Sequence, residues 1–187
     1  MIECDDLFSQ AVGVARENEK EKTPVARLDA GRKIAEPCSI IIFGASGDLT
    51  SRKLIPALLQ LHSENQMPDQ FRVIGVARRE KTDDEWRAEL RAATVKHSRC
   101  EAREVSQWEK FAKNITYLRG DVNDPETYHI LKERLLSFND EALSNNLVFY
   151  LATSPTLFGE AVDQLHEGGL LRRRQDNDVH WQRVVVE

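Results

Sequence analysis

Cysteine is scarce in this chain, and its scarcity excludes two classes of protein at once. Cys4, Cys38 and Cys100 are odd in number and far apart. They make neither a disulfide framework nor a Cys-rich metal site, and they fit inert free thiols in a reducing compartment. The five histidines, His62, His97, His129, His166 and His180, lack metal-site spacing. No apolar run approaches the length needed to span a bilayer, and the start, from Met1 to Asp6, is acidic where a signal peptide would be basic. A cytoplasmic protein with no membrane partner is the expectation. At a net charge of −5 no basic block dominates, which leaves a nucleic-acid or anionic-membrane surface without support. No internal repeat is visible, and no Ser/His/Asp or Cys/His constellation can be placed.

What is present is enough for one good core: 187 residues, of which 41% are hydrophobic and 30% charged. Residues 1–38 are rich in Glu, Lys, Arg and Asp around a small apolar cluster of Leu7, Phe8, Val12 and Val14. They read as an extension, equally a flexible tail or one short helix over 7–20. From Ile40 the texture changes to apolar runs alternating with helical periodicity. Strands are predicted over 39–43, 71–77, 115–119, 147–152 and 183–186, with helices between them. Thr82 and Glu85 form a capping-box pattern ahead of a helix through His97. Trp108 and Phe111 give the next helix an aromatic face, and Asp124 or Asn123 with Pro125 starts the helix that carries Tyr128, Leu131 and Leu135. Gly168-Gly169 stops the helix of Leu157, Phe158, Val162 and Leu165. The expected fold is therefore α/β: a doubly wound, mostly parallel, Rossmann-like sheet over 39–187.

The candidate site begins where the first strand ends. Gly44-Ala45-Ser46-Gly47-Asp48-Leu49 follows the run Ile40 to Phe43 and precedes a helix. Glycine at 44 and 47 would let the backbone turn sharply and approach a pyrophosphate, which would rest on free N–H groups at the positive end of the helix. The spacing is Gly-x-x-Gly and not the full Gly-x-Gly-x-x-Gly. At the end of the second strand, where an NAD site usually carries an acidic residue, the chain reads Arg78-Arg79. Two guanidinium groups there suit a 2′-phosphate and so NADP; the plain alternative is a solvated pair partly neutralised by Glu80. Arg52 and Lys53 lie near the helix start, where the dipole disfavours cations and a bound anion would remove the conflict; otherwise they are an exposed charge pair. Asp121-Val122 and the stretch from Tyr150 to Pro155 fall on the carboxyl edge of the sheet, where ligands bind in such folds. Tyr128 and Lys132 fit the Tyr-x-x-x-Lys pair of short-chain reductases, but on a helix earlier than that family uses.

In order, Ile42 to Leu49, Arg52 to Leu58, Val73 to Arg78, Phe149 to Ala152 and Arg183 to Glu187 make a combination that closely resembles the amino-terminal coenzyme domain of the glucose-6-phosphate dehydrogenase family. The resemblance covers about residues 39–187. It implies oxidation of glucose 6-phosphate to 6-phosphogluconolactone with NADP, the opening of the oxidative pentose phosphate pathway. It further implies that Gly44, Ala45, Ser46, Gly47, Asp48, Leu49, Thr50 and Ser51 hold the pyrophosphate. Arg78 would hold the 2′-phosphate, and Asp121, Val122 and Tyr150 would line the cofactor cleft. Lys53 matches a family lysine near cofactor and substrate, and Pro155 a proline beside the nicotinamide. The family motif continues past Glu187 as Lys-Pro-Phe-Gly. The expectation is thus a chain without the catalytic domain, its general base or its oligomer contacts, able at most to bind NADP weakly and unable to turn over sugar phosphate. A stand-alone NADP-binding regulatory module and, behind it, a short-chain reductase are the alternatives.

Overall fold

The structure, a computed structural model, describes residues 35–97, 102–173, 175 and 178–186. The predicted helix over 7–20 lies outside the described residues. Strand β1 (Cys38–Phe43) is apolar on both faces and buried along almost its whole length, as the central strand of a covered parallel sheet must be. Around it stand β2 (Phe71–Ala77), β3 (Ile115–Arg119), β4 (Leu147–Leu151) and β5 (Gln182–Val186) in the order β3-β2-β1-β4-β5. All four pairings are parallel. The order reverses beside β1, so the crevice between the loops after β1 and β4 is the switch point at which such sheets take ligands.

Period-two alternation divides the strands between two helical layers. Ile42, Val73 and Ile115 face α1 (Ile55–Ser63), α2 (Asp83–His97) and α3 (Ala102–Ala112), where they meet Leu58, Trp86 and Phe111. Ile41, Phe43, Ile74 and Phe149 face the other way, onto Tyr128, Leu131 and Leu165 of α4 (Pro125–Leu136) and α6 (Phe158–Glu167). Between α4 and β4 lies the short α5 (Glu141–Asn145), which the sequence reading did not predict. Five residues are too few for a periodic signal, although Asp140 caps it by accepting the Leu143 N–H at 2.9 Å.

The local signals that were read form as expected. The Thr82 hydroxyl accepts the Glu85 N–H (3.2 Å) while the Glu85 carboxylate accepts the Thr82 N–H (2.7 Å). That second bond holds the Glu85 carboxyl below its ordinary range. Asp124 accepts the Glu126 N–H ahead of α4, with Pro125 at its first position. Pro56 lies in the first turn of α1, just beyond a wide π-type turn over Thr50–Leu54 in which the Ile55 N–H reaches back to Thr50 O. The edge strand β3 is closed by side chains: Asp83 accepts the Tyr117 N–H (2.6 Å) and Arg87 donates to Ile115 O (2.9 Å). Those bonds occupy backbone groups that an open edge would offer to another chain. Among the described residues no helix is long and apolar enough to cross a membrane.

Candidate functional site: the loops at the carboxyl edge

Gly44 makes the turn that takes the chain out of β1. Its φ of +87° is open to glycine, and a Cβ there would stand 2.2 Å from Ala152 O at the end of β4. The loops after β1 and β4 are therefore in backbone contact. On the other side, the Gly44 and Ala45 N–H groups both donate to Val76 O of β2, at 3.0 and 3.1 Å. These two amides are spent on holding the loop to the sheet. Gly47 N–H closes back on Gly44 O at 2.9 Å. What the loop turns outward is Ser46 and the helix start from Asp48, whose first N–H groups have no intrahelical acceptor.

The remaining predicted loop residues divide by burial. Thr50 is fully buried and its hydroxyl donates to Gly44 O (3.3 Å), so its side chain braces the turn from inside. Leu49 packs against the core, and Ser51 Oγ donates to Asp48 O (3.1 Å). The two cations beyond the loop separate as well. Arg52 pairs with Asp48 at 3.0 Å, which resolves its conflict with the helix dipole without any ligand. Lys53 is exposed and has no ion-pair partner among the described residues.

The loop after β2 carries charge instead of shape. Arg78 and Arg79 are both exposed, and neither has an ion-pair partner among the described residues. Glu80, which in the solvated-pair alternative would neutralise part of the charge, pairs instead with Arg119 at 3.2 Å. The backbone beneath them is held: the Tyr117 hydroxyl donates to Arg79 O at 2.6 Å. Burial raises the Tyr117 pKa, which keeps that donor protonated.

Asp121 and Val122 follow β3 in a turn fixed by α4. Asp121 N–H donates to Thr127 Oγ1 (2.9 Å), and the Tyr128 hydroxyl donates to Val122 O (2.8 Å). Tyr150 is half-buried on β4, level with Ile42 of β1, and packs on the side of the sheet that carries α1. Pro155 is exposed at the head of a single 3-10 turn (Pro155–Leu157). Beside Gly44, Thr153 Oγ1 is buried with no hydrogen-bond partner among the described residues. A bare glycine turn, an orphaned hydroxyl and cations without partners fit a polyanionic ligand laid across the edge between β1, β2 and β4.

The Tyr128-Lys132 pair does not join this edge. Tyr128 is 1% exposed and stacks on Phe43 at 5.7 Å. Burial raises its pKa further from working pH, the reverse of what proton transfer needs. Lys132 Nζ donates to Gly168 O at 3.1 Å. The motif is a core tyrosine and a surface lysine, and the short-chain reductase reading has no support.

Comparison with known proteins agrees with the resemblance read from the sequence. A family model described as glucose-6-phosphate dehydrogenase, NAD binding domain, matches residues 41–187. The chain is 37% identical over 152 residues to a glucose-6-phosphate 1-dehydrogenase of Chlamydia pneumoniae, covering 81% of this chain and 30% of that protein. It is 38% identical over 154 residues to one of Aggregatibacter actinomycetemcomitans, covering 82% and 30%. Among solved structures, a glucose-6-phosphate 1-dehydrogenase from Mycobacterium avium superposes with a TM-score of 0.65 at 28% identity, covering 79% of this chain and 29% of that one. A glucose-6-phosphate dehydrogenase in complex with its substrate glucose-6-phosphate gives 0.66 at 27% identity, with the same coverage. The chain spans about a third of the length of these relatives.

Proposed function

The chain belongs to the glucose-6-phosphate dehydrogenase family, and on that premise we propose that residues 39–187 bind NADP for the oxidation of glucose 6-phosphate at C1. The observation that carries the choice of NADP is the Arg78-Arg79 loop, exposed at the end of β2, with Glu80 paired elsewhere. Guanidinium groups keep their charge at any working pH and bind a phosphate through parallel hydrogen bonds, so they favour the one dinucleotide that carries a 2′-phosphate.

In this reading Ser46 and the amides at the start of the helix after Gly47 hold the pyrophosphate. Arg78 takes the 2′-phosphate, and Asp121, Val122 and Tyr150 line the adenosine and nicotinamide run of the cleft. Lys53 and Pro155 stand toward the reacting end. NADP, when bound, accepts hydride from the sugar carbon. The chain's own residues bind and orient it, and Thr153 offers a hydroxyl beside Gly44. The general base and the ligands of the sugar phosphate belong, in this proposal, to the part of the relatives that the chain does not match, as do the contacts between subunits. A cytoplasmic setting accords with that chemistry.

Titration calorimetry on the chain tests the reading. NADP binds more tightly than NAD, and glucose 6-phosphate with NADP yields no NADPH, read by absorbance, from residues 39–187 alone. Equal affinity for the two dinucleotides, or turnover by this chain, would overturn it.

A further inference from the structure

Trp86 sits on α2, forty-one residues from the glycine loop, and is 1% exposed. Its indole N–H donates to Ala45 O at 3.2 Å. The ring reaches that carbonyl only because β2 has glycine beneath it. A Cβ at Gly75 would stand 2.2 Å from the ring's Cη2 and 2.7 Å from the Ala45 Cβ. A tryptophan in a glycine notch, with its one polar atom on a loop carbonyl, does more than fill space, because indole is a donor only and has no other use for that proton.

The consequence follows from the planarity of one peptide unit. Ala45 C=O and Ser46 N–H belong to the same trans amide and point in opposite directions. Fixing the carbonyl inward on Trp86 therefore aims the Ser46 N–H away from the core. The amides on either side are already taken, Ala45 N–H by Val76 O and Gly47 N–H by Gly44 O. We infer that Trp86 is a positioning residue for dinucleotide binding, holding the Ala45–Ser46 peptide so that the Ser46 N–H faces the pyrophosphate. The inference rests on the reading of this loop as the pyrophosphate site.

Because the pyrophosphate is common to NAD and NADP, loss of the indole donor weakens both alike. Trp86→Phe, measured by calorimetry well below the unfolding temperature, is expected to raise both dissociation constants about three- to tenfold with their ratio unchanged. The Ser46 amide resonance should shift in the unliganded protein. Trp108→Phe is the control: Trp108 belongs to the same core and packs on Phe111 of α3, with ring centroids 6.0 Å apart, so its replacement lowers thermal stability and leaves both constants in place. Benzothienylalanine at position 86, which keeps the ring shape and removes the N–H, reproduces the binding loss even where Phe packs too poorly to fold. Unchanged constants with either replacement, while the unaltered chain binds both dinucleotides, overturn the role of Trp86 alone. An unaltered chain that binds neither overturns the pyrophosphate reading and this inference with it.

Discussion

The loops after β1 and β2 lie side by side at one edge of the sheet and differ in almost every physical respect. The first is a backbone device: Gly44 and Ala45 are tied to β2, Thr50 braces the turn from within, Trp86 holds the next carbonyl, and Arg52 is neutralised by Asp48. The second is a side-chain device, with two exposed guanidiniums on a backbone held by Tyr117. In the proposed function the nearly neutral turn reads what all dinucleotides share, and the charged pair reads what distinguishes one of them. The comparison makes the two loops separable by experiment.

The largest effect is expected from Gly44→Ala. The left-handed backbone alone costs a non-glycine residue on the order of 1–3 kcal/mol, and contact with Ala152 O adds to it. The turn must move, so both dinucleotides should be lost together in calorimetry and the melting temperature should fall. Retention of either affinity would break the claim that shape is the first loop's function. Next in size is Arg78→Ala, which should weaken NADP by about 1.5–3 kcal/mol and leave NAD nearly unchanged. Equal losses for both would mean that the second loop is not reading the 2′-phosphate. Smaller again is the contrast at the helix start. Arg52→Ala should change stability by less than about 1 kcal/mol, since its pair with Asp48 is exposed, and leave binding alone. Lys53→Ala should weaken NADP more than Arg52→Ala does; the reverse order would place the ligand on the other side of the helix.

How much of this was legible in the sequence depends on how far each cause reaches along the chain. The Thr82-Glu85 box and the Asp124-Pro125 start involve neighbours three residues apart or fewer, so both are legible, although the sequence leaves Asn123 an equal candidate for the second cap. The inner strands β1, β2 and β4 were readable because burial leaves nearly continuous apolar runs. Their order was not, since periodicity says nothing about which strand lies beside which. Whether Glu80 neutralises the arginine pair was not legible for the same reason: it is adjacent to Arg79 in sequence, but its partner Arg119 is on the neighbouring strand. Trp86 carried no sequence signal as a loop support, because its bond to Ala45 closes only when Gly75 and the α2 register bring them together. Gly75 inside a strand was the one available hint, as an interior strand glycine often marks a close approach.

The smallest expected effect tests whether stability and the binding edge can be moved apart. His62, at the end of α1, lies against Phe71 and Phe111, with ring centroids 5.6 Å from each. Phe71 begins β2, so this cluster is at the opposite end of the sheet from Arg78. Burial first, and then the nearby Lys110, lower the His62 pKa from its ordinary 6.5. Well above pH 6.5 the ring is neutral in the folded and unfolded chains alike and its contribution to stability is complete. As pH falls below 6.5 the unfolded chain takes up the proton first, so stability declines until pH has passed through the lowered folded value. Denaturant melts should show this shallow loss, and His62→Phe, which keeps the aromatic contact and removes the titration, should flatten it. Affinity for NAD, which lacks a 2′-phosphate to titrate, should not follow His62 in either protein. A change in NAD affinity that tracks the His62 titration would show that the far end of β2 is coupled to the loops, and that the separation between a scaffold and two independent readers is wrong.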